Sequence, residues 1–344
     1  MGKTLFISER CGSDWSLDLI FAGLVRKFGH ENIIDFPQQN RHREGKPIHV
    51  GDHEKDYGSE RRALCYTGKN IYVQKHSESQ ILELFKAGEI DRIFIDEREV
   101  SYSIYCSLRA VLFNVPVVVV AGHDKFWNSV ATTRAYYGKN LEAMFIDDWQ
   151  TQYDSLPNTH LINLSTNFDH LWNHDNRESL LADKRYDIFF MGYNSDPRRN
   201  EVISYITKRW WYLNNHILLE TRDSVFSQFV RHDEYFSKMA QSKICINLAG
   251  ASTCGRALRY YEIPYVGSYM LSQEFPAKLL HPYEDGVHCG YFKDFRDLDS
   301  KIYHALDNPK WRESIAAEGH RHSQMWHTVD ARMEYIYSYL KERR

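Results

Sequence analysis

The chain has 344 residues, 43% hydrophobic and 26% charged, with a formal net charge of −3 when its 17 histidines are neutral. That length holds two ordinary domains, and the composition excludes a disordered chain. The near-neutral charge gives no global basic field for nucleic acid, and short runs such as Arg41-His42-Arg43 and Lys208-Arg209 read as solvated surface.

Six cysteines form no CxxC pair, so zinc-ribbon and thioredoxin-type readings fail. The longest apolar span, residues 115–121, fits a buried strand rather than a membrane helix. The sequence opens directly on a strand pattern without a signal-peptide core. A soluble, cytoplasmic protein without membrane insertion is therefore expected.

In chain order, residues 3–8 (KTLFIS) predict a strand, followed by the loop Glu9-Arg10-Cys11-Gly12-Ser13-Asp14 and an amphipathic helix over 15–28. Residues 32–36 give the next strand. Residues 37–62 are polar and aperiodic, a pattern expected of a mobile or acceptor-facing loop. Strands then read over 69–74, 92–96, 115–121, 144–147 and 160–164. Helical spacing alternates with them over 78–87, 102–113 and 126–137. Such alternation predicts a mostly parallel sheet covered on both faces, with ligands outside the carboxyl ends of the strands.

The polar stretch 168–184 predicts a linker, after which the alternation restarts. Strands are expected over 186–191 and 217–220, helices over 199–211 and 233–241. A last strand at 288–292 and helices over 298–306, 309–325 and 329–342 close the chain. The expected organisation is an N-terminal unit over 1–167, a linker over 168–184, a C-terminal unit over 185–322 and a helical tail over 323–344. Two such units facing each other would leave a deep cleft for ligand.

The stretch KICINLAGASTCGRALRYYEIPYVGSYML, residues 243–271, is the most informative. It reads as strand, small-residue loop, helix over 255–262 stopped by Pro264, and a second strand. Unpaired N–H groups at Gly250, Ala251, Ser252 and Thr253 would seat a phosphate at the helix start. Arg259 and Glu262, at i and i+3, share a helix face. They suit either one ligand, with a cation for a diphosphate and a carboxylate for hydroxyls, or a plain surface salt pair at a βαβ corner.

Taken with other residues, this stretch resembles the group 1 glycosyltransferases of the GT-B fold, most closely their spore maturation protein CgeB-like branch. The resemblance runs over residues 186–339. It is carried by Tyr186-Asp187-Ile188-Phe189-Phe190-Met191-Gly192, Arg198 and Arg199, Tyr235-Phe236, and Ser242 to Asn247. The R-x-x-E-x-x-x-x-G pattern stands at Arg259, Glu262 and Gly267, with Leu298, Gly319, His327-Thr328 and Arg332 closing it. The first half matches through its Gly-Ser-Asp loop and the Gly122-His123-Asp124 turn, where family members often carry Glu in place of His123.

The resemblance implies two Rossmann-like domains, α/β in class, facing across a cleft, with a helical tail packing back on the first. It implies a hexosyl- or pentosyltransferase whose C-terminal domain holds a nucleotide-sugar co-substrate, UDP-linked, and whose N-terminal domain holds a hydroxyl acceptor. No metal and no tightly bound cofactor are expected. Gly192, Arg198, Arg199, Arg259 and the loop Gly250 to Thr253 would hold the donor diphosphate, and Glu262 its hydroxyls. Asp124 or His123 would act as base or acceptor-orienting group, with capping of the next helix as the alternative for Asp124. Asp14 in the first βα loop is a second candidate, with helix capping the job expected of it first. His327 and Arg332 would help the tail pack, and Trp210-Trp211 would serve the core or stack on a base.

The acceptor is left open among protein, glycan, small molecule and a hydroxymethylated DNA base. Other classes weighed are a nucleotide-sugar-binding assembly factor without turnover and an NAD-linked enzyme. The last is weakened because no GxGxxG follows the first strand.

Overall fold

A computed structural model describes residues 2–8, 15–37, 76–121, 129–147, 149–166, 176–193, 196–222, 232–248 and 257–341. The chain divides into two compact units, Met1–Asn167 with Val329–Arg344, and Phe168–Thr328. The expected strand over 69–74 and most of the polar loop after Phe36 lie outside the described residues.

Unit 1 is built on β1 (Lys3–Ile7), β2 (Ile33–Phe36), β3 (Ile90–Asp96), β4 (Val117–Ala121), β5 (Leu141–Ile146) and β6 (Thr159–Leu161). They form one sheet of order β2-β1-β3-β4-β5-β6, parallel throughout. Continuous apolar strands such as Val117–Ala121 are what a sheet covered on both faces demands. Leu5, Ile95 and Val119 enter one buried cluster and Phe6, Phe94 and Val118 the other, as a period of two requires. Helices α2 (Glu78–Lys86), α3 (Glu99–Ser107) and α4 (Val130–Tyr137) cover the first face through Ile81, Tyr105 and Tyr137. A Ser77–Gln80 capping box starts α2. Helix α1 (Trp15–Phe28) covers the other.

Unit 2 holds β7 (Tyr186–Tyr193), β8 (Ile217–Arg222), β9 (Ser242–Asn247), β10 (Tyr269–Gln273) and β11 (Gly290–Phe292). The sheet runs β11-β10-β9-β7-β8, again all parallel. Strand order therefore reverses between β7 and β9, the switch point where open α/β sheets bind ligands. Ile188, Phe190, Ile244 and Ile246 pack on α6 (Pro197–Arg209), α9 (Phe295–Asp307) and α10 (Pro309–Trp326). The other face meets α7 (His232–Ala240) and α8 (Arg259–Val266), where the buried Cys245 thiol reaches Met239 O at 3.4 Å.

The stretch read as a linker contains a helix, α5 (Arg177–Ala182), and Arg177 Nε donates to Val266 O at 3.0 Å. The last helix, α11 (Val329–Tyr339), belongs to unit 1. It packs on α1 where Gly23 leaves room for Met333, and Arg26 Nε bonds Asp330 at 2.8 Å. Arg332, 2% exposed, donates to Leu164 O within the same unit. His327 has a different job from the one expected: it is buried in unit 2, donating Nε2–H to His281 O at 3.0 Å.

Pro264 does not stop its helix, contrary to expectation. Helix α8 runs through it to Val266 and ends at Gly267, φ +93°, whose N–H caps Ile263 O. Proline removes one N–H, but its buried ring faces α10, so packing holds the turn, and the left-handed glycine terminates it. Gly267→Ala should lower stability by about 1–2 kcal/mol, the cost of a left-handed β-carbon, measured by urea denaturation.

Candidate functional site

The carboxyl ends of β7 and β9 converge with the starts of α6 and α8. Asp196 caps α6, accepting from Arg198 N at 2.9 Å, and Pro197 follows at the first helical position. The two arginines that follow then separate. Arg198 turns outward and grips Asp196 through Nε and Nη2, its side chain 62% exposed. That guanidinium holds the Asp196 carboxyl below its usual value. Arg199, one position on, faces inward: it is 5% exposed and donates Nη2–H to Leu248 O just past β9.

Arg259 opens α8 on the other side of the same corner. Its Nη1 donates to Met191 O at 2.9 Å, and its guanidinium lies 4.8 Å from the Phe190 ring centroid, a cation–π distance. Its Nε–H is buried without a hydrogen-bond partner among the described residues. Burial first, and then the charge of Arg259, pull Arg199 down to about 10, so it stays cationic at neutral pH. The two guanidiniums thus lie close enough for the charge of Arg259 to act on Arg199, and two cations at one sheet end suit a bound anion.

Gly192 makes this approach possible. A β-carbon there would stand 2.9 Å from Arg259 Nη1 and 3.0 Å from Phe190 Cζ. Glu262, three residues along α8, is 6% exposed and accepts from the Tyr235 hydroxyl at 2.8 Å. Burial, and next the Glu262 charge, push the Tyr235 phenol well above its ordinary value, so it stays a donor.

The structure brings Gly192, Arg199, Arg259 and Glu262 to this corner and turns Arg198 away from it. Gly250 to Thr253, Asp14, His123 and Asp124 lie outside the described residues. Trp210 is core, its Nε1 bonded to Asp299 at 3.0 Å, whereas Trp211 is exposed. No metal-binding cluster of His, Cys, Asp and Glu occurs among the described residues, and no helix there is long and apolar enough to cross a membrane.

Three participants escaped the sequence reading. Asp196 was signalled by Asp-Pro, an N-cap followed by a first-turn proline. The Tyr235–Glu262 bond joins residues 27 apart and had no local signal. Asn247 is fully buried at the end of β9, its amide fixed by Nδ2–H to Ser272 Oγ at 2.9 Å. Ser272 itself donates to Gln273 O. Asn247 Oδ1 is left without a hydrogen-bond partner among the described residues, an acceptor at the same sheet end.

Residues 197–338 match the model of a family described as glycosyl transferase-like. Among curated protein sequences none matches this chain. The fold is similar to that of Anabaena HepE, solved with UDP-glucose, at TM-score 0.59 and 10% identity over 98% of this chain and 99% of that one. A glycosyltransferase from Rickettsia africae superposes at TM-score 0.58 and 11% identity, covering 98% of each chain. Sucrose-phosphate synthase from Thermosynechococcus elongatus does so at 0.55 and 13%, again over 98% of each. The fold is GT-B, and within it residues 197–338 are similar to a glycosyl transferase-like family.

Gly192→Ala forces either Arg259 or β7 to move. We expect a loss of about 1–3 kcal/mol in chemical denaturation, as for other overpacked sites, and a displaced Arg259 in a crystal structure of the variant.

Proposed function

We propose that this GT-B glycosyltransferase takes a UDP-linked sugar as donor and passes the sugar to a hydroxyl acceptor, with unit 2 holding the donor and unit 1 the acceptor. The observation that carries the reading is the buried Arg199 and the half-buried Arg259, two guanidiniums at the β7/β9 switch point beside Glu262. The matched family region contains all three residues. Anabaena HepE, which binds UDP-glucose, shares the fold. The run from Tyr186 to Gly192 and the spacing of Arg259, Glu262 and Gly267 favour the CgeB-like branch.

The chemistry follows from charge. As the bond between the anomeric carbon and the diphosphate oxygen breaks, negative charge grows on the departing diphosphate. Fixed cations there stabilise the transition state more than the bound substrate. Arg199 and the Nε–H of Arg259 face that charge, and backbone N–H groups at Ala251, Ser252 and Thr253 add dipoles. These groups supply the positive charge a leaving diphosphate needs, which is the basis for a metal-independent reaction. Glu262 accepts from a ribose or sugar hydroxyl. Asp124 follows β4, whose carboxyl end is where a ligand-facing group belongs. We assign it, with His123, to the acceptor hydroxyl as base or orienting group, and Asp14 after β1 to the same side.

Arg199→Ala and Arg259→Ala should each weaken UDP-glucose binding about tenfold or more, as expected when a hydrogen bond to a charged group is lost. Arg198→Ala, whose guanidinium is engaged by Asp196 at the surface, should change it less than about threefold. Calorimetry on the three variants decides: unchanged affinity in both the Arg199 and the Arg259 variant would mean the donor binds elsewhere. Asp124→Asn should lower kcat with little change in donor affinity, and full turnover would remove Asp124 from the mechanism.

A further inference from the structure

We infer that Tyr235 is a positioning residue for the donor: its hydroxyl, 2.8 Å from Glu262 Oε2, fixes the carboxylate that takes a donor hydroxyl. This rests on the donor reading of Glu262. Tyr235 comes from α7 and Glu262 from α8, so the bond ties two helices that lie on the same face of the unit 2 sheet.

The ring itself is held. It lies 5.9 Å from Phe189 on β7 and 5.2 Å, edge to face, from Phe236. The phenol therefore has little freedom to follow the carboxylate; the carboxylate follows the phenol. A glutamate has three side-chain torsions, and a donor at one oxygen removes most of the freedom of the last two. The remaining orientation is fixed before any ligand arrives, which lowers the cost of binding one. Burial keeps the phenol protonated across the working pH range, so the direction of the bond does not change. The groups facing Tyr235 are Glu262, Arg259 and the Cys245 thiol, the last itself pushed up to about 12 by burial. Arg259, at i−3 on α8, belongs to the same constellation, so one phenol serves the alignment of the carboxylate beside the cation.

A purely structural tyrosine would stabilise the fold equally whether or not Glu262 is present. A positioning tyrosine acts on donor affinity only through Glu262, and a double-mutant cycle separates the two. UDP-glucose binding is measured by calorimetry on the full chain for wild type, Y235F, E262A and the double variant. We expect Y235F to weaken binding about tenfold in the wild-type background, the loss of one hydrogen bond to a charged group, and less than about twofold in the E262A background. Equal losses in both backgrounds, or no loss in the first, overturn the inference. Replacing Tyr235 by 4-aminophenylalanine keeps the ring and an N–H donor, so affinity should stay within about threefold of wild type. A folded variant of this kind that binds as weakly as E262A also overturns it, whether or not Y235F folds. If E262A itself binds UDP-glucose normally, the donor site is elsewhere. If E262A binds weakly and Y235F normally, only the role of Tyr235 fails.

Discussion

Two positive side chains, Arg199 and Arg259, stand at the reversal point of a parallel sheet, near enough for the charge of one to act on the other. Bringing like charges together in a poorly solvated place is unfavourable, and Arg199 registers it in a lowered pKa. The surrounding structure offsets the cost with what backbone and aromatic groups provide: the carbonyls of Met191 and Leu248, the face of Phe190, and the Asp196 carboxylate nearby. An anion placed there would relieve the remaining repulsion, which is what the proposed donor reading asks of this corner.

Much of the architecture could be read from the chain because its signals are local. The all-apolar Val117–Ala121 run announces a buried parallel strand, and the restart at Tyr186 announces a second sheet. The i,i+3 spacing of Arg259 and Glu262 places them on one helix face but leaves a plain salt pair open, and only the family resemblance points to a donor. Pro264 misled because a proline is judged by its backbone, whereas here the packing of its ring on α10 keeps the turn helical and Gly267 ends it. Residues 177–182 looked like linker because they are polar, yet Arg177 docks them on the last carbonyl of α8. The division of labour between Arg198 and Arg199 was not legible. It depends on Asp196, which caps the helix and draws the nearer guanidinium outward.

The same contrast explains what the site needs from distant parts of the chain. Helix α8 carries both the cation and the carboxylate, and it is only eight residues long, too short to hold itself. Its far end is fixed by Gly267 and by Arg177 on Val266 O. Its back is fixed by α10, where His320 Nδ1–H reaches Pro264 O at 3.2 Å and Gly319 makes room for the His288 carbonyl. Its working face meets β7 through Arg259 and α7 through Glu262.

A short helix anchored on each of these sides has little freedom to reorient when a ligand arrives. Electrostatic catalysis gains most when donors and charges need not rearrange as charge develops. The buried glycine, the internal proline and the long-range tyrosine bond look unrelated in the sequence. In the fold they meet one requirement: keeping Arg259 and Glu262 still relative to Arg199. Where that constraint is strict, polar groups can be left without partners among the described residues, as Arg259 Nε and Asn247 Oδ1 are, because a rigid frame limits which neighbours they can reach.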